Sequence, residues 1–64
     1  MSFFSDRRTK RNISSHGTWR GHKTYKYQYK DSDKWFIGVM SDEVPQYAVS
    51  RHESGFDVVD YGAL

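Results

Sequence analysis

Residues 23–30 read KTYKYQYK, and no other stretch limits the fold as strongly. Strict alternation puts Tyr25, Tyr27 and Tyr29 on one side and Lys26, Gln28 and Lys30 on the other, the period of a strand with one face buried. DSDK, 31–34, then supplies a turn. WFIGVM, 35–40, is a second strand, apolar enough to predict burial on both faces, so the two segments form a hairpin. Gly38 inside that strand marks a bulge or a close backbone approach.

The flanking segments are shorter. Ser41-Asp42-Glu43-Val44 begins like an N-capped helix that Pro45 limits to about one turn. Residues 47–50 can form a short strand, Ser54-Gly55 a turn, and FDVVDY, 56–61, a last strand with Phe56, Val58 and Asp60 opposing Asp57, Val59 and Tyr61. Near the start, Ser5-Asp6 offers an N-cap to a brief helical turn whose cations oppose the helix dipole. SSHGTWRGH, 14–22, reads as a loop, and residues 1–4 fray unless something docks on Phe3 and Phe4. The expected class is α+β: a small, antiparallel β-rich domain with one or two short helical turns. Its core or interface residues are Tyr25, Tyr27, Tyr29, Ile37, Val39, Val58 and Tyr61.

A chain of 64 residues without cysteine has neither a disulfide nor a thiolate metal site to reinforce a small core. Assembly with other chains is the expected source of the missing stability. The longest apolar run is far too short to span a bilayer, and no apolar segment follows the early basic cluster as a secretion signal requires, so a soluble protein is expected. Charge is divided unevenly: residues 1–30 hold eight Lys/Arg against Asp6 alone, whereas residues 31–64 hold Lys34 and Arg51 against seven Asp/Glu. Such halves can neutralise one another within a chain or between copies. A basic half interleaved with Trp19 and the tyrosines could equally grip a phosphate backbone.

His16, His22 and His52 lack the close spacing of a metal site, and no Gly-rich phosphate loop is present, so no cofactor or metal is expected. The segment SDRRTKRNI, 5–13, carries more chemistry. Lys10 can act as a general base only if its pKa falls toward neutrality, and burial together with Arg7, Arg8 and Arg11 would push it that way. Ser5 is then a candidate nucleophile. A separation of five residues puts the pair on different faces of a helix or strand, so they meet only in an irregular turn or across two subunits.

SDRRTKRNI at the front, YKYQY and IGVMSDEVP in the middle, and GFDVVDYGAL at the end together resemble the intramolecular chaperone auto-processing domain. That domain is found at the C-termini of phage tail spikes, endosialidases and tail fibres, and in some eukaryotic membrane-bound transcription factors. The resemblance covers residues 5–64, leaving 1–4 as an N-terminal tail. Its matching positions include Ser5, Asp6, Arg8, Lys10, Asn12, Ile13, Ile37-Gly38-Val39-Met40, Glu43-Val44, Gly55-Phe56, Val59-Asp60-Tyr61 and Leu64. The chain departs from the family pattern at Thr9 and at Ser41-Asp42, and its segment from Glu43 to Ala48 is shorter than the family's usual helix.

The resemblance implies a homotrimeric folding aid that aligns fibre chains and then cuts itself free just before the motif serine. Carried over, Ser5 is the nucleophile, Lys10 its base, Asp6 and Arg8 supporting groups, and Phe4–Ser5 the scissile bond. The expected biology is a stand-alone version of this domain, kept as a small structural or assembly protein of a virion and found there or in the host cytoplasm during assembly. Its partners are then phage tail fibre, tail spike or other virion proteins, with no membrane involved. Self-cleavage is expected to be vestigial in the stand-alone chain and active in a longer precursor. The rival expectation is a basic, tyrosine-rich nucleic-acid-binding module.

Overall fold

The computed structural model describes residues 1–64 and consists of two three-stranded antiparallel sheets joined by short 3-10 turns, with no full helix. One sheet contains β2 (Lys10–Trp19), β3 (His22–Tyr29) and β4 (Trp35–Gly38) in that order. The other has β1 (Ser2–Phe4) and β5 (Val49–Arg51) on either side of β6 (Asp57–Asp60). The expected β-rich class holds, and its helical content is confined to single turns at Arg7–Thr9, Ser41–Glu43, Gln46–Ala48 and Tyr61–Ala63.

The β3–β4 hairpin is as expected, with Tyr27 opposite Phe36 and Tyr25 opposite Gly38. Residues 14–22, however, are not a loop. They continue β2 to Trp19 and return as β3 through a two-residue turn, Arg20-Gly21, whose positive φ angles of 52° and 79° suit a tight hairpin. β2 carries two irregularities, the second of which falls within the polar, glycine-rich stretch that suggested a loop. Asn12 and Ile13 both lie opposite Tyr27, and His16 is an extra residue between Ser15 and Gly17. The first irregularity lets Asn12 donate to the side chain of Gln28 at 2.7 Å, while Gln28 donates to the Asp33 carbonyl at 2.9 Å. Gln28 is therefore buried with its amide satisfied, although alternation put it on the solvent face.

Residues 1–4 are also ordered by docking. β1 pairs with β6, Tyr61 packs edge-on against Phe3 at 5.6 Å, and His52 does the same against Phe4 at 5.0 Å. The expected strand at residues 47–50 begins later, at Val49, because Gln46–Ala48 closes a 3-10 turn with an Ala48 amide to Pro45 carbonyl bond of 3.0 Å.

The core lies where residues 39–48 cross from one sheet to the other. Val39, Val44 and Val59 form its centre, Val49, Tyr61 and Leu64 pack around them, and Met40 and Ala48 are also buried. WFIGVM thus divides in an unexpected place. Val39 and Met40 are wholly inside, but on the edge strand β4 Trp35 and Ile37 share the opposite face from Phe36 and are more than half exposed, Ile37 at 56%, while Phe36 packs on Tyr27 and Tyr29. Of the other expected core residues, Tyr27 is buried and Tyr25, Tyr29, Val58 and Tyr61 are half-buried. The charged halves meet partly inside the chain: Arg7 forks onto Asp42 at 3.1 and 3.2 Å, and Arg11 reaches Asp33 at 2.9 Å.

Burial assigns the energetic roles of two neighbouring residues. Met40→Ala should cost about 2–5 kcal/mol, whereas Ile37→Ala should change the stability of the single chain by no more than about 0.5 kcal/mol. Urea unfolding of both variants at a concentration where the chain is monomeric checks this. A larger loss for Ile37→Ala would contradict the assigned core.

Candidate active site

The 3-10 turn Arg7–Thr9 begins from Asp6, whose carboxylate accepts from the Arg8 amide at 3.0 Å. Asp6 therefore takes the capping role, and the Ser5 side chain is free of it. The same carboxylate accepts from the Arg8 guanidinium at 3.0 and 2.8 Å and from the Asp57 amide at 2.9 Å. These bonds, the Arg8 side-chain bond above all, hold the Asp6 carboxyl far below the usual carboxylate range despite burial. Arg8 also donates to the Gly55 carbonyl at 2.9 Å and lies over the Phe56 ring. Asp6 and Arg8 thus bind the turn ahead of β6 to the chain just after Ser5.

Ser5 is wholly buried. Its amide donates to the Asp57 carbonyl at 3.1 Å, its carbonyl accepts from the Ser41 amide at 2.9 Å, and its hydroxyl meets the Tyr61 hydroxyl at 3.3 Å. Lys10 is buried as well, with 3% of its surface exposed. Its ammonium donates to the Val39 carbonyl at 2.8 Å and stands 3.9 Å over the Tyr27 ring. No carboxylate pairs with it. Burial first, and the Arg7 charge second, lower its pKa from 10.5 to about 8. The folded chain therefore binds fewer protons at Lys10 than the unfolded chain between those two values. The cost of burying its charge is full below pH 8 and disappears as the pH rises toward 10.5.

The irregular turn that a close approach of Ser5 and Lys10 required is present, and both residues are bonded to the same short segment, 39–41. They are not hydrogen bonded to each other: the Ser5 hydroxyl is turned to Tyr61 and the Lys10 ammonium to Val39. Val39 joins the two arrangements, because its amide donates to the Tyr61 hydroxyl at 2.9 Å while its carbonyl holds Lys10.

Reasoning from the sequence missed Tyr61 and Tyr29 as parts of this site, having placed both in the core or an interface. For Tyr61 the available signal was Gly38. A Cβ there would lie 2.5 Å from the Tyr61 hydroxyl and 3.0 Å from that of Tyr27, so a side chain would displace the first and crowd the second. The close backbone approach expected at Gly38 is therefore an approach of two phenols. Beside the site lies a cavity of about 630 Å³ lined by Phe3, Phe4, Tyr29, His52 and Phe56 among others. The three histidines stand apart, His16 and His22 in the β2–β3 hairpin and His52 in the turn before β6.

Comparison with protein-family models, with curated proteins and with solved structures finds no match.

The packing at Gly38 is testable by a double-mutant cycle. Gly38→Ala should destabilise the chain by about 1–3 kcal/mol through overpacking. Combined with Tyr61→Phe, the loss should fall short of the sum of the two single losses by at least about 0.5 kcal/mol, because the displaced hydroxyl is then gone. Thermal unfolding of the four proteins measures the coupling, and strict additivity would show that the two residues do not meet.

Proposed function

We propose that this chain is a chaperone-like domain of the phage tail spike and tail fibre kind, promoting trimeric assembly and serving as a small structural or assembly protein of a virion. We further propose that Ser5, with Lys10 as base, cuts the Phe4–Ser5 bond when other chain precedes it. The observation that carries the catalytic reading is a buried lysine without a carboxylate partner, held at a pKa of about 8 a few residues from a buried serine. A lysine kept for structure alone is ordinarily paired or solvated, because burying an unpaired ammonium is costly.

The proposed chemistry requires the Ser5 hydroxyl to turn from Tyr61 to Lys10. A neutral Lys10 amine keeps a hydrogen for the Val39 carbonyl and gains a lone pair to take the Ser5 proton. The Ser5 oxygen then adds to the adjoining Phe4 carbonyl through a five-membered ring, covalent attachment having already supplied the proximity. Loss of the Ser5 nitrogen, which takes the proton from Lys10, leaves an ester between Phe4 and the Ser5 oxygen. Hydrolysis by one water then yields a Phe4 carboxylate and a free Ser5 amine. Asp6 and Arg8 contribute by fixing the backbone on the Ser5 side of the bond.

Assembly is supported by what the single chain leaves uncovered. Trp35 and Ile37 share one face of an edge strand and are more than half exposed, and Tyr47 is 78% exposed, an arrangement that favours contact with other chains. The rival nucleic-acid reading has less support, since its tyrosine platform is occupied. Tyr27 is buried beneath Lys10, and Tyr25 donates to Glu43 at 2.6 Å.

A fusion with an unrelated segment ahead of Met1 should cut itself between Phe4 and Ser5. Ser5→Ala and Lys10→Arg should both abolish cutting while the domain stays folded. The rate should rise with pH and level off above about 8, as Lys10 loses its proton. Mass spectrometry of the products reads the site, and an intact, trimeric wild-type fusion would show that the motif serves structure only. Separately, sedimentation at micromolar concentration should show a trimer; a folded monomer at all concentrations would overturn the assembly reading.

A further inference from the structure

We propose that Tyr29 is a catalytic residue of the self-cleavage reaction, its hydroxyl being the donor that receives the negative charge formed on the Phe4 carbonyl oxygen. This rests on the Ser5 and Lys10 reading above. The observation is a hydrogen bond of 2.6 Å from the Tyr29 hydroxyl to the carbonyl oxygen of Phe4, the oxygen of the bond to be cut.

The placement has a backbone cause. β1 is an edge strand whose Met1 carbonyl and Ser5 amide are turned toward β6, where they bond Tyr61 and Asp57. Alternation along an antiparallel strand therefore turns the Phe4 carbonyl the other way, off the ladder, where a side chain must satisfy it. β3 supplies that side chain. Tyr29 is the cross-strand partner of Lys10, so one pairing register sets both the proposed base and this donor. The two ends of the scissile peptide are thus held separately, its oxygen by Tyr29 and its nitrogen by the Asp57 carbonyl.

Tyr29 is also prepared as a donor. Because its own hydrogen goes to Phe4, its oxygen accepts from the Tyr27 hydroxyl at 3.3 Å, and a donor that itself accepts is polarised toward stronger donation. Partial burial raises the Tyr29 pKa, so the hydroxyl keeps its hydrogen at neutral pH. When the Ser5 oxygen bonds to the Phe4 carbon and its proton passes to Lys10, the carbonyl pair moves onto the oxygen facing Tyr29. As that pair returns, the bond to the Ser5 nitrogen breaks and the nitrogen takes the proton from Lys10. The phenol donates to the oxygen throughout and need not transfer its proton. A neutral donor already aligned on the oxygen requires little reorganisation as charge develops.

The test uses the same N-terminal fusion and follows the first-order rate of cutting at pH 8. Tyr29→Phe keeps the ring packed against Tyr27 and Phe36 and should slow cutting by about 10²–10³-fold with the melting transition kept. Replacing Tyr29 by fluorinated tyrosines of increasing acidity, all compared with wild type at one common pH below the pKa of every phenol, keeps the hydroxyl and should raise the rate in step with acidity, a trend that a purely structural bond would not produce. If wild type cuts and Tyr29→Phe cuts as fast, this inference fails while the Ser5 and Lys10 reading stands. If Tyr29→Phe does not fold, the fluorinated series decides, and a flat response overturns the inference. A wild-type fusion that never cuts removes both readings.

Discussion

Asp6 ties the two sheets together. Its carboxylate lies in the connection from β1 to β2, closes the first 3-10 turn through the Arg8 amide, and holds the Asp57 amide at the start of β6. A polar anchor can do this because all of its bonds are made. Two go to a guanidinium that is itself largely solvated, so the buried charge is neutralised without burying a second one. With Asp6 in place, Ser5 is drawn between Asp57 and Ser41, and the chain emerges from the turn at the position where Lys10 enters the core. The candidate site is therefore a product of the link between the sheets rather than an addition to either of them.

The parts of this arrangement that are local in sequence were legible. Asp6 and Lys10 lie on either side of one turn, the tyrosine alternation identifies β3, and Pro45 and Ser54-Gly55 mark true breaks. What escaped was long-range. Tyr61 lies 56 residues beyond Ser5 and Tyr29 lies 25 beyond Phe4, and nothing in the spacing of phenols says which will meet a serine or a carbonyl. The error at WFIGVM has a different origin. Hydropathy describes how much a segment gains by leaving water, but not whether the same chain has surface to cover it. β4 is the edge of its sheet, so Trp35 and Ile37 remain largely outside while Val39, one residue beyond the strand, is fully enclosed. Residues 14–22 were misread because serines, threonine and glycines usually signal a loop; here they fill a bulged hairpin arm whose bond pattern tolerates them.

The uneven charge distribution also has a structural outcome. Arg7 and Arg11 reach acidic residues of the second half at the surface, where each pair adds little, while Lys10 enters the core without a carboxylate partner. Its polar needs are met by a peptide carbonyl and an aromatic face, neither of which can take its proton. An ion pair would have stabilised the charged form and raised the pKa; a carbonyl and a ring leave the balance to burial. That difference is what leaves the Lys10 pKa lowered to about 8 rather than raised.

The pairing of β1 with β6 has a consequence in time. The N-terminal strand is the first part of this sequence to leave the ribosome, yet its hydrogen-bonding partner and the Tyr61 phenol that meets Ser5 are separated from it by nearly the whole sequence. At ordinary rates of translation, roughly 3–11 s pass between the emergence of Ser5 and that of Tyr61, and through that interval no arrangement of the early residues can reproduce the site. Translation order thus acts as a clock: whatever chemistry resides at the front of the domain is silent until its far end has been made.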